Sequence, residues 1–322
     1  MKNSSAAEAS SPWHPGEITL QRTVGADKRM ALHGHRIFRD HLIEQHRNFY
    51  RQLPFLLAGA VDPRGDVWAT VLAGRPGFAF SPDLHTLTLE TARNAADPAD
   101  AGMEHGDSLA LLGIELHTRR RNRLNGSIRR ESADRFDVVV EQAYGNCPQY
   151  IQLRDFEFVR EPSASAPVPA KSLAALNERA VAMIRGADTF FVASYVDRDA
   201  GQRQVDVSHR GGKDGFVRVG HDGVLTIPDF SGNQFFNTLG NILVTHKAGL
   251  VFIDFDTGDL LQLSGDAEVV LDSPEITAFE GAERLWRFTP RRIVYRADAL
   301  PLRWVFEAEG WSPEALRTGR WG

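Results

Sequence analysis

The sequence predicts a β-rich α+β fold of two tandem antiparallel barrels, each preceded by a helix. Three observations predict it. Segments of the first half recur in the second at a nearly constant spacing, the mark of a repeated unit. Short apolar runs follow one another, broken by Gly, Asp-Gly and Asp-Pro turns, with no long helix between them. Between the recurring segments lies Glu161-Pro-Ser-Ala-Ser-Ala-Pro-Val-Pro-Ala170, whose Pro/Ser/Ala composition is that of a linker.

The repeat starts with Phe55-Leu-Leu-Ala-Gly-Ala-Val-Asp62, echoed by Phe190-Phe-Val-Ala-Ser-Tyr-Val-Asp197. Both read as buried strands running into a turn. Gly77 and Gly215 are 138 residues apart, and Asn125-Gly126 and Ser264-Gly265 are 139 apart. Between them, the segment from Asp107 to Glu115 parallels the one from Lys247 to Phe255. An offset this steady indicates a duplicated domain, with an N-terminal copy at 1–162, whose residues 1–12 read as a disordered tail, and a C-terminal copy at 170–322.

A helix is expected before each copy. Phe38, Leu42, Phe49 and Leu53 fall on one helical stripe, and Leu173, Leu176, Ala180, Met183 and Ile184 on another. His221-Asp-Gly-Val224 and Asp256-Thr-Gly-Asp259 have hairpin-turn chemistry. Short hairpin-linked strands argue for barrels, because closure removes exposed strand edges.

A chain of 322 residues is long for one domain, and with 42% hydrophobic and 25% charged residues it can bury a real core. Its 37 basic and 42 acidic residues leave a net charge of −5. No global positive field therefore favours nucleic acid or an anionic membrane, and any anion site must be local. Cys147 is the single cysteine, which excludes an internal disulfide and fits a reducing compartment. Neither a signal-peptide pattern nor a window of ~20 apolar residues is present, so the expected location is the cytoplasm.

Two segments of the second half, Val205-Asp-Val-Ser-His-Arg-Gly-Gly-Lys-Asp-Gly-Phe-Val217 and Leu225-Thr-Ile-Pro-Asp-Phe-Ser-Gly-Asn-Gln-Phe-Phe-Asn-Thr-Leu-Gly-Asn-Ile242, carry a resemblance. They are similar to the flavin-contacting strands of the pyridoxamine 5′-phosphate oxidase-like FMN-binding split barrels. Gly249 to Asp254 and Leu263 to Glu268 resemble later strands of that barrel, and the first half resembles it more faintly. The resemblance implies two split β-barrels, FMN as cofactor and a site built between barrels.

Physical reasoning about an FMN site selects the following residues. Gly211 and Gly212 lack Cβ atoms and permit positive φ, which would let a loop aim N–H groups at a phosphate. Gly-Gly is equally at home in a plain hairpin turn. Ser208 and Arg210 would add side-chain donors. Beyond the next strand, Asp229, Asn233, Asn237 and Asn241 would face the ligand, although Asx residues in turns often satisfy their own backbone. Where relatives often place basic residues after this turn, the chain has Gln234, Phe235 and Phe236.

The missing charge has a candidate source in Thr118-Arg-Arg-Arg-Asn-Arg-Leu-Asn-Gly126. Strand alternation would point Arg119, Arg121 and Arg123 one way and Arg120 the other. Arg121 and Arg123 are the phosphate candidates. Tyr144-Gly-Asn-Cys-Pro-Gln-Tyr-Ile151 resembles a signature that lies close to the cofactor in a subgroup of these flavoproteins, which implicates Asn146, Cys147 and Tyr150. The matching stretch of the second half has decayed to Ala299-Leu-Pro-Leu-Arg303, so the motif is not needed for the barrel itself.

Among the histidines, His33, His35, His41 and His46 cluster around the first predicted helix, and His14 stands alone. The spacing of His41 and His46 misses the i, i+4 pair that zinc wants, so no metal site is expected. The expected function is that of an FMN-dependent oxidoreductase acting on a small-molecule substrate or electron donor, with room for a homodimer. Two alternatives stay open: a non-enzymatic flavin- or haem-binding redox module, and a haem-degrading protein that uses a histidine. No catalytic acid or base can be named from the sequence.

Overall fold

The computed structural model describes residues 11–162, 169–198 and 201–321. In the first half, β1 (Phe55–Val61), β2 (Val67–Ala73), β3 (Ala79–Phe80), β4 (Thr86–Glu90), β5 (Ser108–Glu115), β6 (Arg120–Arg130) and β7 (Arg135–Gly145) pair in the order β2-β1-β5-β6-β7-β4-β3. β8 (Arg154–Phe158) and β9 (Lys171–Leu173) follow. The second half holds β10 (Thr189–Asp197), β11 (Arg203–Gly211), β12 (Arg218–Val219), β13 (Leu225–Phe230), β14 (Lys247–Ile253), β15 (Leu260–Val270) and β16 (Ala282–Arg296), paired in the order β11-β10-β14-β15-β16-β13-β12. Counted within each half, the two orders are the same, and all pairs are antiparallel.

The uniformly apolar run of β1 is explained by cover on both faces. Alternation sends Leu56, Ala58 and Ala60 into a core with Trp68, Leu111 and Phe136. Phe55, Leu57 and Val61 join Phe191, Ala193, Val205 and Val251 of the second half in another core. β10 does the same, with Phe190 and Val192 packed beside Phe252 and Trp286. The halves therefore meet sheet on sheet, and neither could shed the other without exposing a full apolar face.

Neither hydrogen-bonded path closes on itself among the described strands, which corrects the expectation of closure. The physical reason is the mutual cover. Edge strand β2 packs on β14 and β15, and edge strand β11 packs on β5 and β6, so these two edge strands are covered by the other half without a closing pair.

Pairing also corrects the alignment of the repeat. In the first half Ala58 faces both Thr70 and Leu111; in the second, Val192 faces both Ser208 and Leu250. Ala58 thus corresponds to Val192, one residue away from the match suggested by Phe55 and Phe190. Those two phenylalanines point to opposite faces, as a one-residue slip requires.

Both halves bulge at the same point, between Asn125 and Gly126 and between Ser264 and Gly265. A Cβ on Gly126 would lie 2.0 Å from the Val139 carbonyl oxygen, and one on Gly265 2.1 Å from that of Thr289. Backbone cannot retreat as a flexible side chain can. Gly126→Ala and Gly265→Ala are each expected to destabilise the fold by about 1–3 kcal/mol, read as a lower urea midpoint at unchanged slope.

The helices depart from the two predicted stripes. Of the first stripe only Phe49 lies within a helix, α3 (Glu44–Gln52), which α1 (Pro15–Thr23) and α2 (Asp27–Ile37) precede. Phe38 is extended, and the Leu42 N–H bonds the Leu84 carbonyl at 2.7 Å instead of continuing a helix. In the second, Leu173 belongs to β9, opposite Ile293. The helix α4 (Glu178–Gly186) starts only after Asn177, whose side chain caps it by accepting from the Ala180 N–H. A fifth helix, α5 (Asn237–Thr245), packs against α1.

The tail expected at 1–12 lies outside the described residues up to Ser10. Ser11 and Pro12 are held in place: Ser11 accepts from the Trp13 N–H, and the Pro12 carbonyl accepts from Arg198. Residues 163–168 of the expected linker also lie outside the described residues. β17 (Leu302–Phe306) returns from the second half to pair with β8 of the first. No helix among the described residues is long and apolar enough to cross a membrane.

Candidate functional site

A cleft opens where β6 of the first half meets edge strand β11 of the second. It holds a space of about 120 Å³ and opens to solvent. Four segments supply its walls. β11 carries Ser208 and Arg210, two apart and so on one face. β6 contributes Arg121 and Arg123 by the same alternation. The turn after β7 brings Asn146, Cys147 and Tyr150, and the segment from Asp229 through Asn233 to Asn237 closes the far side.

The floor is a buried polar network. Arg123 donates to Asp206 at 2.8 Å, to Ser208 Oγ at 2.5 Å and to Asn237 Oδ1 at 3.2 Å. Ser208 in turn donates to Asp206 and accepts from Thr238. Burial opposes the charge on Arg123, but the adjacent Asp206 carboxylate and Tyr144 hold its pKa above the ordinary arginine value. Behind this floor Asn237 donates to Glu17 Oε1 at 2.6 Å, linking α1 to the cleft.

Charge in the cleft is out of balance. Asp206 neutralises Arg123, and Asp229 lies between Arg210 and Arg284, the latter also paired with Glu283. Arg121, half-buried, donates its Nε to the Cys147 carbonyl at 2.6 Å and has no carboxylate partner among the described residues. Burial, then the like charge of Arg123 and of Arg210, pushes its pKa down to about 9. At neutral pH it still carries its proton and lacks a counter-ion.

His209 borders the same cleft, buried, with Nε2 unpartnered. Burial and four surrounding arginines, Arg121, Arg210, Arg154 and Arg123, lower its pKa well below the usual histidine range and keep it neutral. Tyr150 takes a left-handed backbone (φ 63°), donates its hydroxyl to the Ser231 carbonyl at 3.0 Å and stacks on Phe230 with ring centroids 5.3 Å apart. Burial pushes its phenol up to about 12.

Of the residues selected from the sequence, all but Gly212 and Asn241 border this cleft. Asn241 lies deeper and donates to Ser194 Oγ at 3.0 Å. The glycine argument needs correction, because neither Gly211 nor Gly212 has positive φ. Gly211 lacks a side chain because the Tyr150 carbonyl oxygen would sit 2.0 Å from its Cβ. The Gly212 N–H is already taken by the Asp188 carbonyl at 2.9 Å. The arginine run also divides differently. Arg119 sits in the turn before β6 with φ 58° and donates to the Ile151, Gly310 and Trp311 carbonyls, whereas Arg120 faces away toward Glu115 and Phe49.

His14, His33, His41 and His46 do not border the cleft. The side chain of His35 lies outside the described residues, among which no cluster of three or more potential metal ligands occurs. Sequence reasoning passed over Asp206, His209, Arg284 and Glu17. Asp206 had a signal: Asp206, Ser208 and Arg210 alternate with Val205, Val207 and His209, a polar face on a strand whose other face is mostly apolar. Arg284 and Glu17 are distant in sequence and had none.

No family model matches the chain. No curated protein matches it either. Among solved structures, it is similar to HupZ of Group A Streptococcus (TM-score 0.27, 18% identity, over 34% of this chain and 86% of that one). Another is a Clostridium acetobutylicum protein described as related to general stress protein 26 and of the pyridoxinephosphate oxidase family (TM-score 0.27, 14% identity, 41% and 95%). A third is an FAD-binding protein from Mycobacterium smegmatis (TM-score 0.26, 12% identity, 40% and 97%). Similarity at this level identifies neither ligand nor activity.

Proposed function

We propose that this chain is a flavoprotein that holds FMN in the cleft between β6 and β11 and acts as an oxidoreductase on a small-molecule substrate or electron donor. The observation that carries the reading is Arg121, a charged group in a concave site with no carboxylate of its own. Such a group favours an anionic ligand, and the unpartnered Nε atoms of the buried Arg123 and the half-buried Arg210 mark the same region as rich in donors. The enclosed volume is below the roughly 300–1,000 Å³ of typical small-molecule sites, so a flavin must use the open mouth as well. The resemblance of 205–217 and 225–242 to flavin-contacting strands supports FMN over other anions.

In this reading Arg121 binds the phosphate, with Ser208, Arg210 and Asn146 nearby. The stacked Tyr150 and Phe230 rings border the mouth and limit water there. FMN, when bound, supplies hydride exchange at its N5, and the protein contributes position and electrostatics. The matching strand orders and bulges support the further reading of 1–162 and 170–322 as tandem split barrels of common origin. A cytoplasmic location, room for a homodimer and the absence of nucleic-acid or membrane partners complete the proposal.

Haem has one observation in its favour, the neutral His209 with its unpartnered Nε2. The four arginines around it disfavour a cationic iron centre and favour an anion. The visible spectrum of the protein after reconstitution with each cofactor separates the two.

The quantitative test is Arg121→Ala titrated with FMN and riboflavin beside the parent. One charge-assisted hydrogen bond contributes about 1.5–3 kcal/mol net, so FMN should weaken about tenfold or more while riboflavin, lacking phosphate, changes little. Equal losses for both ligands, or none, would remove Arg121 from the phosphate site.

A further inference from the structure

The same strand order in both halves gives the cleft a counterpart. Strand pairing relates Ser208 on β11 to Thr70 on β2, since each faces the core residue, Val192 or Ala58, that pairs onward with Leu250 or Leu111. The shared bulge relates Arg123 to Gln262, each three residues before its glycine, and Asn146 to Arg296, each two residues past the partner of that position, Tyr144 or Val294. Asn237 opens α5 after β13; Asp97 caps the short 3-10 segment Pro98–Gly102 after β4.

The counterpart is filled. Asp97 Oδ2 accepts from Arg296 at 2.8 Å and from the Thr70 hydroxyl, and Oδ1 accepts from Gln262 at 2.9 Å and from the Ala99 N–H at 3.0 Å. All four side chains are buried. Where the open cleft has the neutral Asn237, the counterpart has a carboxylate, and that carboxylate takes the donors. The surplus cations are missing as well, because Arg121 corresponds to Leu260 and Arg210 to Leu72.

We propose that the Thr70, Gln262 and Arg296 position is an anion site occupied by the chain's own Asp97 side chain, so that one chain binds one anionic ligand rather than two. Removing the Asp97 carboxylate leaves a buried arginine, a hydroxyl and an amide around a void the size of a small carboxylate. Formate is the probe that matches it. The stoichiometric part rests on the flavin reading of the open cleft, whereas the anion-site part does not.

The experiment compares melting temperatures of Asp97→Ala, Asp97→Asn and Asp97→Ala/Arg296→Met across a formate series, together with calorimetric titration of the unmodified chain with FMN. Expected are a concentration-dependent rise for Asp97→Ala alone, no rise for the space-filling Asp97→Asn or for the double variant, and one FMN per chain. Two FMN per chain, or an Asp97→Ala chain indifferent to formate, overturns the proposal. An Asp97→Ala chain that stays unfolded even in formate, while Asp97→Asn folds, also counts against it. A formate response without FMN binding would remove the flavin reading and leave the anion site standing. One bound FMN without a formate response would do the reverse.

Discussion

Arg123→Ala is expected to cost the fold about 3–5 kcal/mol, far more than the loss of Arg121, although the two residues are neighbours on one strand face. Asp206 is almost fully buried, and Arg123 is its charge partner at 2.8 Å. Truncating Arg123 strands a carboxylate away from water with only Ser208 and Tyr144 to bond it. Arg121 has no such dependent and borders the open cleft. Its removal relieves like-charge repulsion and should leave the urea midpoint nearly unchanged. An apolar pair, Arg123→Met with Asp206→Leu, should recover most of the stability lost by Arg123→Ala, because the uncompensated charge is gone. Denaturant unfolding of the four proteins checks this, and an Arg123→Ala variant as stable as the parent would mean that Asp206 finds water or another partner. Ligand loss in Arg123→Ala must therefore be read only beside its stability, whereas Arg121→Ala reports on binding directly.

Stability should fall as pH rises from about 6.5 to 8, and Glu17→Gln should abolish that fall. Glu17 is buried in the capping box of α1, accepting from the His14 N–H and from Asn237. Burial raises its pKa to about 8, only partly offset by these hydrogen bonds. Unfolded, it ionises near 4.5. Between those values the folded chain keeps a proton that the unfolded chain releases, so stability declines with rising pH. At 1.36 kcal/mol per unit the full span amounts to as much as about 5 kcal/mol. His14 works in the opposite direction. Burial, followed by the nearby Arg198, lowers its pKa to about 4, so the unfolded chain takes up a proton first as pH falls below 6.5. His209 and His46, also lowered chiefly by burial, act in the same sense as His14, so below about 6.5 the histidines oppose Glu17, and from 6.5 to 8 Glu17 sets the slope. Urea midpoints at half-unit pH intervals for the parent and Glu17→Gln measure the difference, and parallel curves would show that Glu17 is ionised in the folded state.

Much of the site was legible in the sequence because it consists of local patterns. Alternation on β6 places Arg121 and Arg123 together, and the distinctive segment from Tyr144 to Ile151 brings Asn146, Cys147 and Tyr150 to the same cleft. The readings that failed share one cause. Gly211 and Gly212 were chosen for backbone freedom, but their small size serves a close approach by the Tyr150 carbonyl and by the Phe216 ring. That approach depends on residues about 60 positions away or on a fold-specific turn. The two helical stripes erred likewise, since apolar spacing alone does not distinguish a helix from a loop and strand whose side chains reach the same core.

The β-rich class and the hairpin turns follow from the sequence alone, because each rests on nearest-neighbour chemistry and a period of two. Only the tertiary structure decided which arginine is spoken for and which is free. Arg121 and Arg123 are the same residue type, two positions apart on one face. What separates them is Asp206, delivered from 83 positions away by the packing of one sheet on the other. The same packing closes the counterpart cleft with Asp97 and leaves this one open, because burial makes each charge find its partner in space rather than along the chain.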